Sequence, residues 1–302
     1  MTFDEALEQF LSERREAARK LASQAMKQFA SWYLGTAGES LSLTNWTPQD
    51  TNHWLSYLLT TKHRTPNTIN SYRSQLRSFA AWCVDEQLLP RDPTRNAHKI
   101  QQQKKPVVVL ERTEENKLLR ELEQEDPIYR FIILFLKHTG LRNSELAHLA
   151  LRDITLGEKG LTLSELTDLK ASAYRSGMLY VRSGKGMKAR EIDLNATARE
   201  VLLDYLAVRP KVESDQLLIS LKTRQPMTIW GIGYACERLR ERTGIHMHPH
   251  LLRRTFGTKL ARNVSIEVVA DLLGHSSVNT TRTNYLAVDT RKRQRAVESI
   301  EE

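Results

Sequence analysis

Cysteine is scarce in this chain: Cys83 and Cys236 are the only two in 302 residues. They lie far apart in mostly helical patterns, which argues against a disulfide framework and fits a reducing compartment. Long apolar runs are missing too. The best of them, Phe131-Ile132-Ile133-Leu134-Phe135-Leu136, is far too short to cross a bilayer and reads as a buried helix. Met1-Thr2-Phe3-Asp4-Glu5 gives no basic start followed by an apolar block, so no signal peptide is expected and a cytoplasmic location is the default. There is no Cys-x-x-Cys pair. Gly184-Lys185-Gly186 lacks the glycine spacing and the Lys-Ser/Thr ending of a nucleotide-binding loop. His246, His248 and His250 alternate around Pro249 instead of falling at i and i+4, so a metal site is not expected there.

What is present is positive charge and length. Lys and Arg number 45 against 36 Asp and Glu, a net charge of +9, which points to a polyanionic partner. A chain of this length can bury two cores, so two domains are expected, 1–94 and 107–302, joined by a basic linker at 95–106.

The first region reads as helical. Leu7, Phe10, Leu11, Leu21, Ala25, Phe29 and Trp32 recur at three- and four-residue steps, which predicts one long helix over 3–33, closed by Gly35 and Gly38. Thr47-Pro48-Gln49-Asp50 supplies an N-cap, a proline at the first helical position and an early carboxylate. Thr65-Pro66 opens the next helix in the same way. Ile69, Tyr72, Leu76, Phe79, Ala80 and Cys83 form its apolar stripe, with Arg64, Arg73 and Arg77 off it. These arginines suit either a solvated face or phosphate contact. Pro90-Arg91-Asp92-Pro93 ends the block, and the linker beyond carries Lys104 and Lys105.

The second region mixes helices with short strands. A helix from Asp126-Pro127 is stopped by Gly140; strands are expected at 161–163, 178–182 and 190–194, the last two joined by a turn bearing Lys185. Helices are expected at 196–208, 229–243, 249–262, 266–273 and 277–286. Arg142 projects from the corner after Gly140, and Glu145, three residues on, lies where it can hold the guanidinium. Leu252, Phe256 and Leu260 face the core, which leaves His250 and Arg253 together on another face. His275 follows Gly274 at a loop apex, and Tyr285 is the last tyrosine of the chain.

With these residues in order, the sequence resembles the tyrosine recombinase, or phage integrase, family over most of its length. The resemblance rests on Thr-Gly-Leu-Arg-Asn-Ser-Glu-Leu around Arg142, Gly-Lys-Gly-Met-Lys-Ala-Arg around Lys185, His-Leu-Leu-Arg-Arg-Thr-Phe from His250, Leu-Gly-His-Ser-Ser around His275, and Tyr285. In the first region it rests on Thr-Pro-Asn-Thr-Ile-Asn-Ser-Tyr-Arg from Thr65. It implies a mainly α fold with a small antiparallel β-sheet in the catalytic domain, as a two-domain C-shaped DNA clamp. A helical core-binding domain would precede an α+β integrase-type catalytic domain. It further implies that Arg142, Lys185, His250, Arg253 and His275 are catalytic, that Glu145 supports them, and that Tyr285 is the nucleophile. Double-stranded DNA with a specific core site is the implied partner, bound by a homotetramer on two sites that exchanges C-terminal tails, near the nucleoid. No cofactor or metal is implied. Further DNA contacts are expected from Arg64, Arg73, Arg77, Lys104, Lys105, Lys188 and Arg254. Arg254 stands where the family commonly has histidine. Residues 157–176 look like an insertion and 1–18 like an extension, either of which could serve partner contacts. Two other classes share parts of the pattern: a type IB topoisomerase-like enzyme, and a DNA-binding protein without catalysis.

Overall fold

The computed structural model describes residues 1–101, 107–158, 160–166, 170–182, 189–275, 277 and 281. The chain divides into two compact units, Met1–Lys105 and Pro106–Glu302.

In the first unit, α1 (Phe3–Ser12), α2 (Glu16–Ala37), α3 (Pro48–Thr60) and α4 (Pro66–Asp85) pack around one core. The single helix expected over 3–33 is therefore two. The apolar steps lapse between Leu11 and Leu21, where polar residues predominate. The Arg19 guanidinium ends α1 by donating to the carbonyl oxygens of Leu11, Ser12 and Arg14 (3.0, 3.4 and 3.1 Å). The break lets α1 fold back on α2 and α4, burying Phe3, Leu7 and Phe10. The apolar face of the 1–18 extension is thus enclosed within the unit.

The capping expectations hold. Thr47 and Asp50 form a reciprocal box at the start of α3, and the Thr65 hydroxyl accepts from Thr68 N at the start of α4. The stripe from Ile69 to Cys83 is buried as expected. The start of the expected linker packs on α4. Ala97 is buried, Asn70 exchanges two 2.9 Å hydrogen bonds with the backbone of Ile100, and Arg73 Nε donates to Ala97 O at 2.6 Å. Residues 95–100 belong to the first unit because polar side chains of α4 hold their backbone, an attraction that leaves no hydrophobic period in the sequence.

The second unit contains α5 (Arg112–Leu122), α6 (Pro127–Thr139), α7 (Asn143–Ala147), β1 (Ile154–Leu156), β2 (Leu161–Thr162), β3 (Gly177–Val181), β4 (Arg190–Asp193), α8 (Ala196–Val208), α9 (Ile229–Thr243), α10 (Pro249–Leu260) and α11 (Ile266–Leu273). The sheet is antiparallel in the order β2-β1-β3-β4, with Leu179 opposite Ile192 and Val181 opposite Arg190. α6 is buried on nearly every side and packs on α8, α9 and α10, as its unbroken apolar run requires. β1 was not expected, since three residues are too few to show alternation. Leu163 and Tyr174, inside the expected insertion, are buried in this core, so part of that segment is structural. Of the helix expected at 277–286, only Ser277 and Thr281 are among the described residues. No helix among the described residues is long and apolar enough to cross a membrane.

Candidate active site

The site grows from the end of α6. Gly140 closes that helix in the left-handed region (φ +64°), and a Cβ there would run into the Phe256 ring on α10. A glycine is required on both counts, and it brings the start of α7 against α10. Arg142 is the N-cap residue of α7 and Glu145 its third position. Glu145 Oε2 accepts from Arg142 N at 2.8 Å, and Oε1 accepts from Arg142 Nη1 at 2.7 Å. The ion pair expected from sequence spacing is thus present.

Glu145 does more than hold Arg142. Arg190, on β4, donates Nη1 to Oε1 at 3.1 Å and Nη2 to Oε2 at 2.8 Å, and Arg253 Nη1 lies 3.9 Å from Oε2. Three guanidiniums therefore share one carboxylate. Burial pushes the Glu145 carboxyl up, but the Arg190 hydrogen bonds, with those from Arg142, hold it down at about 2.

The same arginines converge on the end of α11. Arg190 Nε donates to Leu272 O at 2.8 Å, Arg253 Nη2 to Leu273 O, and Arg142 Nη2 to Gly274 O at 3.2 Å. These three successive carbonyls belong to the negative end of a helix that ends at Leu273, where acceptors lack intrahelical partners. Gly274 is left-handed (φ +61°), and a Cβ on it would stand 2.7 Å from Arg190 Nη1. Arg253 Nη1 also donates to Gly140 O at 2.6 Å, tying α10 to the end of α6.

Two histidines border the cluster. His275 is half-buried, its Nδ1 2.7 Å from Thr281 Oγ1. Burial, then the charges of Arg253, Arg142 and Arg190, lower it to about 4. His250 is lowered by burial and then by Arg253, Arg254 and Arg142. His275 is thereby uncharged at neutral pH, and the shift of the exposed His250 runs in the same direction beside the fixed cations. His248 serves the backbone instead, since its Nδ1 accepts from Leu251 N at 3.1 Å and caps α10.

The fold thus gathers Arg142, Glu145, Arg253 and His275, with His250 alongside. Lys185, Lys188, Tyr285, Lys104 and Lys105 lie outside the described residues. Arg64 and Arg77 are exposed on the first unit, while Arg73 is partly buried and engaged by Ala97; Arg254 is partly buried on α10. Arg190 was missed. Its signal was there, because Arg190, Ile192 and Leu194 alternate on one face of the strand and all three are buried.

A helical unit with a small antiparallel sheet, and a guanidinium cluster over one helix end, defines an integrase-type catalytic fold. Residues 108–292 match the phage integrase family, and the chain belongs to this family of tyrosine recombinases. It is 30% identical over 224 residues to the tyrosine recombinase XerC of Listeria welshimeri, covering 69% of this chain and 67% of that protein. It is 33% identical over 192 residues to XerA of Pyrococcus furiosus, covering 61% and 59%. The match to XerA of Thermococcus onnurineus spans 52% of that protein, so the chain covers little more than half the length of these two archaeal relatives. Among solved structures, the fold is similar to a Tn1549 transposon integrase in complex with circular intermediate DNA (TM-score 0.74, 17% identity, 99% of this chain and 100% of the other). It is also similar to the XerH site-specific recombinase bound to a palindromic substrate (TM-score 0.72, 21% identity, 94% and 80%).

Proposed function

We propose that this protein is a site-specific DNA recombinase that cuts and rejoins strands through a 3′-phosphotyrosine intermediate. The observation that carries this reading is the gathering of fixed positive charge at the end of α11: among the described residues, Arg142 and Arg190 are hydrogen-bonded to the Glu145 carboxylate and Arg253 lies 3.9 Å from it. A pentacoordinate phosphoryl transition state needs such a charge, and guanidiniums keep it at any working pH. Arg142, with 23% of its side chain accessible, grips the phosphate; Arg253, at 4%, adds its charge from beneath.

In the forward step the Tyr285 oxygen attacks phosphorus and the bond to the 5′ oxygen breaks. The phenol has an ordinary pKa of about 10, so it needs a proton acceptor, the role of His250. Lys185 returns a proton to the leaving oxygen, and His275 donates a hydrogen bond to the phosphoryl group. The covalent linkage keeps the energy of the broken bond, so religation needs neither ATP nor metal. The first unit is the core-binding domain and the second the catalytic domain. The partner is duplex DNA with a specific core site, bound by a homotetramer on two sites with tails exchanged in trans. Integration, transposition or resolution of a mobile element or replicon is the setting, at the nucleoid. Recombinases among the relatives and DNA-bound neighbours support the reading.

The test is recovery of DNA covalently joined to the protein from cells lysed in denaturant, followed by sequencing of the DNA and mapping of the joined peptide. Tyr285 should carry the nucleotide, and Tyr285→Phe should bind DNA normally yet yield no adduct. An adduct surviving in the phenylalanine protein would refute the nucleophile.

A further inference from the structure

The geometry points to Arg190 as a positioning residue that sets Arg142 for the reaction by clamping Glu145 from the sheet side. This inference rests on the reading of Arg142 as the phosphate-gripping side chain. Arg190 is closed off, with 3% of its side chain accessible, so it does not meet DNA itself. Each of its nitrogens is engaged: Nη1 and Nη2 fork onto the two Glu145 oxygens, and Nε reaches Leu272 O. The two Glu145 oxygens are the same ones that receive the backbone and side-chain N–H of Arg142. Without Arg190, the plane that Glu145 offers the Arg142 guanidinium would rest on one backbone N–H bond, from Arg142 N to Oε2. The fork from Arg190 fixes the carboxylate plane, and the Nε bond fixes the fork to the end of α11.

The clamp also links three elements far apart in sequence. Arg190 lies on β4, five positions after Lys185 in the sequence; Glu145 lies on α7; Leu272 and Gly274 precede His275. Gly274 leaves the room that the guanidinium occupies, since a Cβ there would press on Arg190 Nη1. Burying a guanidinium is costly, and a carboxylate with only Arg142 to bind would not need a second fork. A hydrophobic residue at 190 would match its neighbours Ile192 and Leu194. The arginine is there for orientation.

Lysine cannot reproduce a planar two-nitrogen fork. Arg190→Lys and Arg190→Gln are therefore compared with wild type on the duplex recovered in the trapping experiment, nicked so that the cleaved end diffuses away. Both variants should bind this DNA as wild type does, while single-turnover cleavage falls on the order of 100-fold, the usual effect of displacing a reacting group by about 1 Å. The same variants are tested with an uncharged methylphosphonate at the scissile position, which makes little demand on Arg142. There the loss should largely disappear. Combining either variant with Glu145→Gln should add little further loss.

Three results overturn the inference: cleavage at the wild-type rate, an equal loss on phosphate and methylphosphonate, or loss of DNA binding in both variants, which would make Arg190 a folding residue only. If wild type forms no Tyr285 adduct at all, the underlying functional reading has failed instead. The two failures are therefore told apart by the wild-type lane.

Discussion

Glu125 and Glu145 are both buried carboxylates of the second unit with arginines around them, yet the charge about each is balanced differently. Glu125 pairs with Arg238 and Arg242, and Glu121 meets Arg242 at 2.9 Å, so two carboxylates face two guanidiniums. Those arginines remain 39% and 32% accessible and can return to water. Around Glu145, among the described residues, one carboxylate faces three guanidiniums, two of them closed. The first arrangement fastens α9 to the chain before α6 and neutralises itself. The second stores positive charge beside two histidines, and the carbonyls at the end of α11 make that storage tolerable. The balanced cluster fastens elements together, whereas the described part of the Glu145 cluster is unbalanced, with more guanidinium than carboxylate.

The largest expected effect tests that contrast in catalysis. Removing a fixed charge from the unbalanced cluster, as in Arg253→Ala, should lower strand cleavage on the order of 1,000-fold, the scale of losing one preorganised transition-state donor. Arg242→Ala, from the balanced cluster, should leave cleavage near wild type. Equal effects in single-turnover assays would erase the distinction.

Stability should separate the clusters next. Glu145→Gln leaves closed guanidiniums without their counter-charge, a loss of roughly 3–5 kcal/mol by analogy with broken buried pairs. Glu125→Gln leaves arginines that can hydrate, so its cost should be nearer about 1–3 kcal/mol. Urea unfolding of the two variants would show a reversed order if the account is mistaken.

The smallest effect concerns pH. His275 in the folded chain takes up a proton only near 4, against an ordinary 6.5, so the unfolded chain binds more protons between those values. Its influence lowers stability as pH falls through that window. Glu145 acts lower down: its stabilisation is present above the ordinary 4.5 and is lost as pH falls towards 2. Unfolding midpoints measured from pH 7 to pH 4 should decline in wild type and decline less in His275→Gln. An unchanged slope would mean that the ring is not held neutral by its surroundings.

Much of this architecture could be read from the residues. The α4 stripe, the Thr47 cap and the left-handed Gly140 follow from periodicity and local sterics, and the Arg142–Glu145 pair from three-residue spacing on a helix. What escaped detection depended on partners distant in sequence. The docking of Ala97 and Ile100 on α4 is polar and backbone-directed. Arg190 is one arginine among many in a basic chain, and its carboxylate lies 45 positions away. The break between α1 and α2 turns on Arg19 reaching back to carbonyls of the preceding helix. Hydrophobic pattern reveals which face is buried, but it does not reveal which polar group will be waiting there.

The central claim is that guanidiniums anchored on Glu145 stand in for an inorganic cation while a tyrosine attacks phosphorus. The most direct test is formation of the covalent adduct on recovered target DNA in excess chelator, with wild type and Arg142→Ala side by side. The account predicts undiminished adduct in wild type, joined through Tyr285, and almost none in the alanine variant. Adduct that vanishes with chelator in wild type, or persists without Arg142, would contradict it.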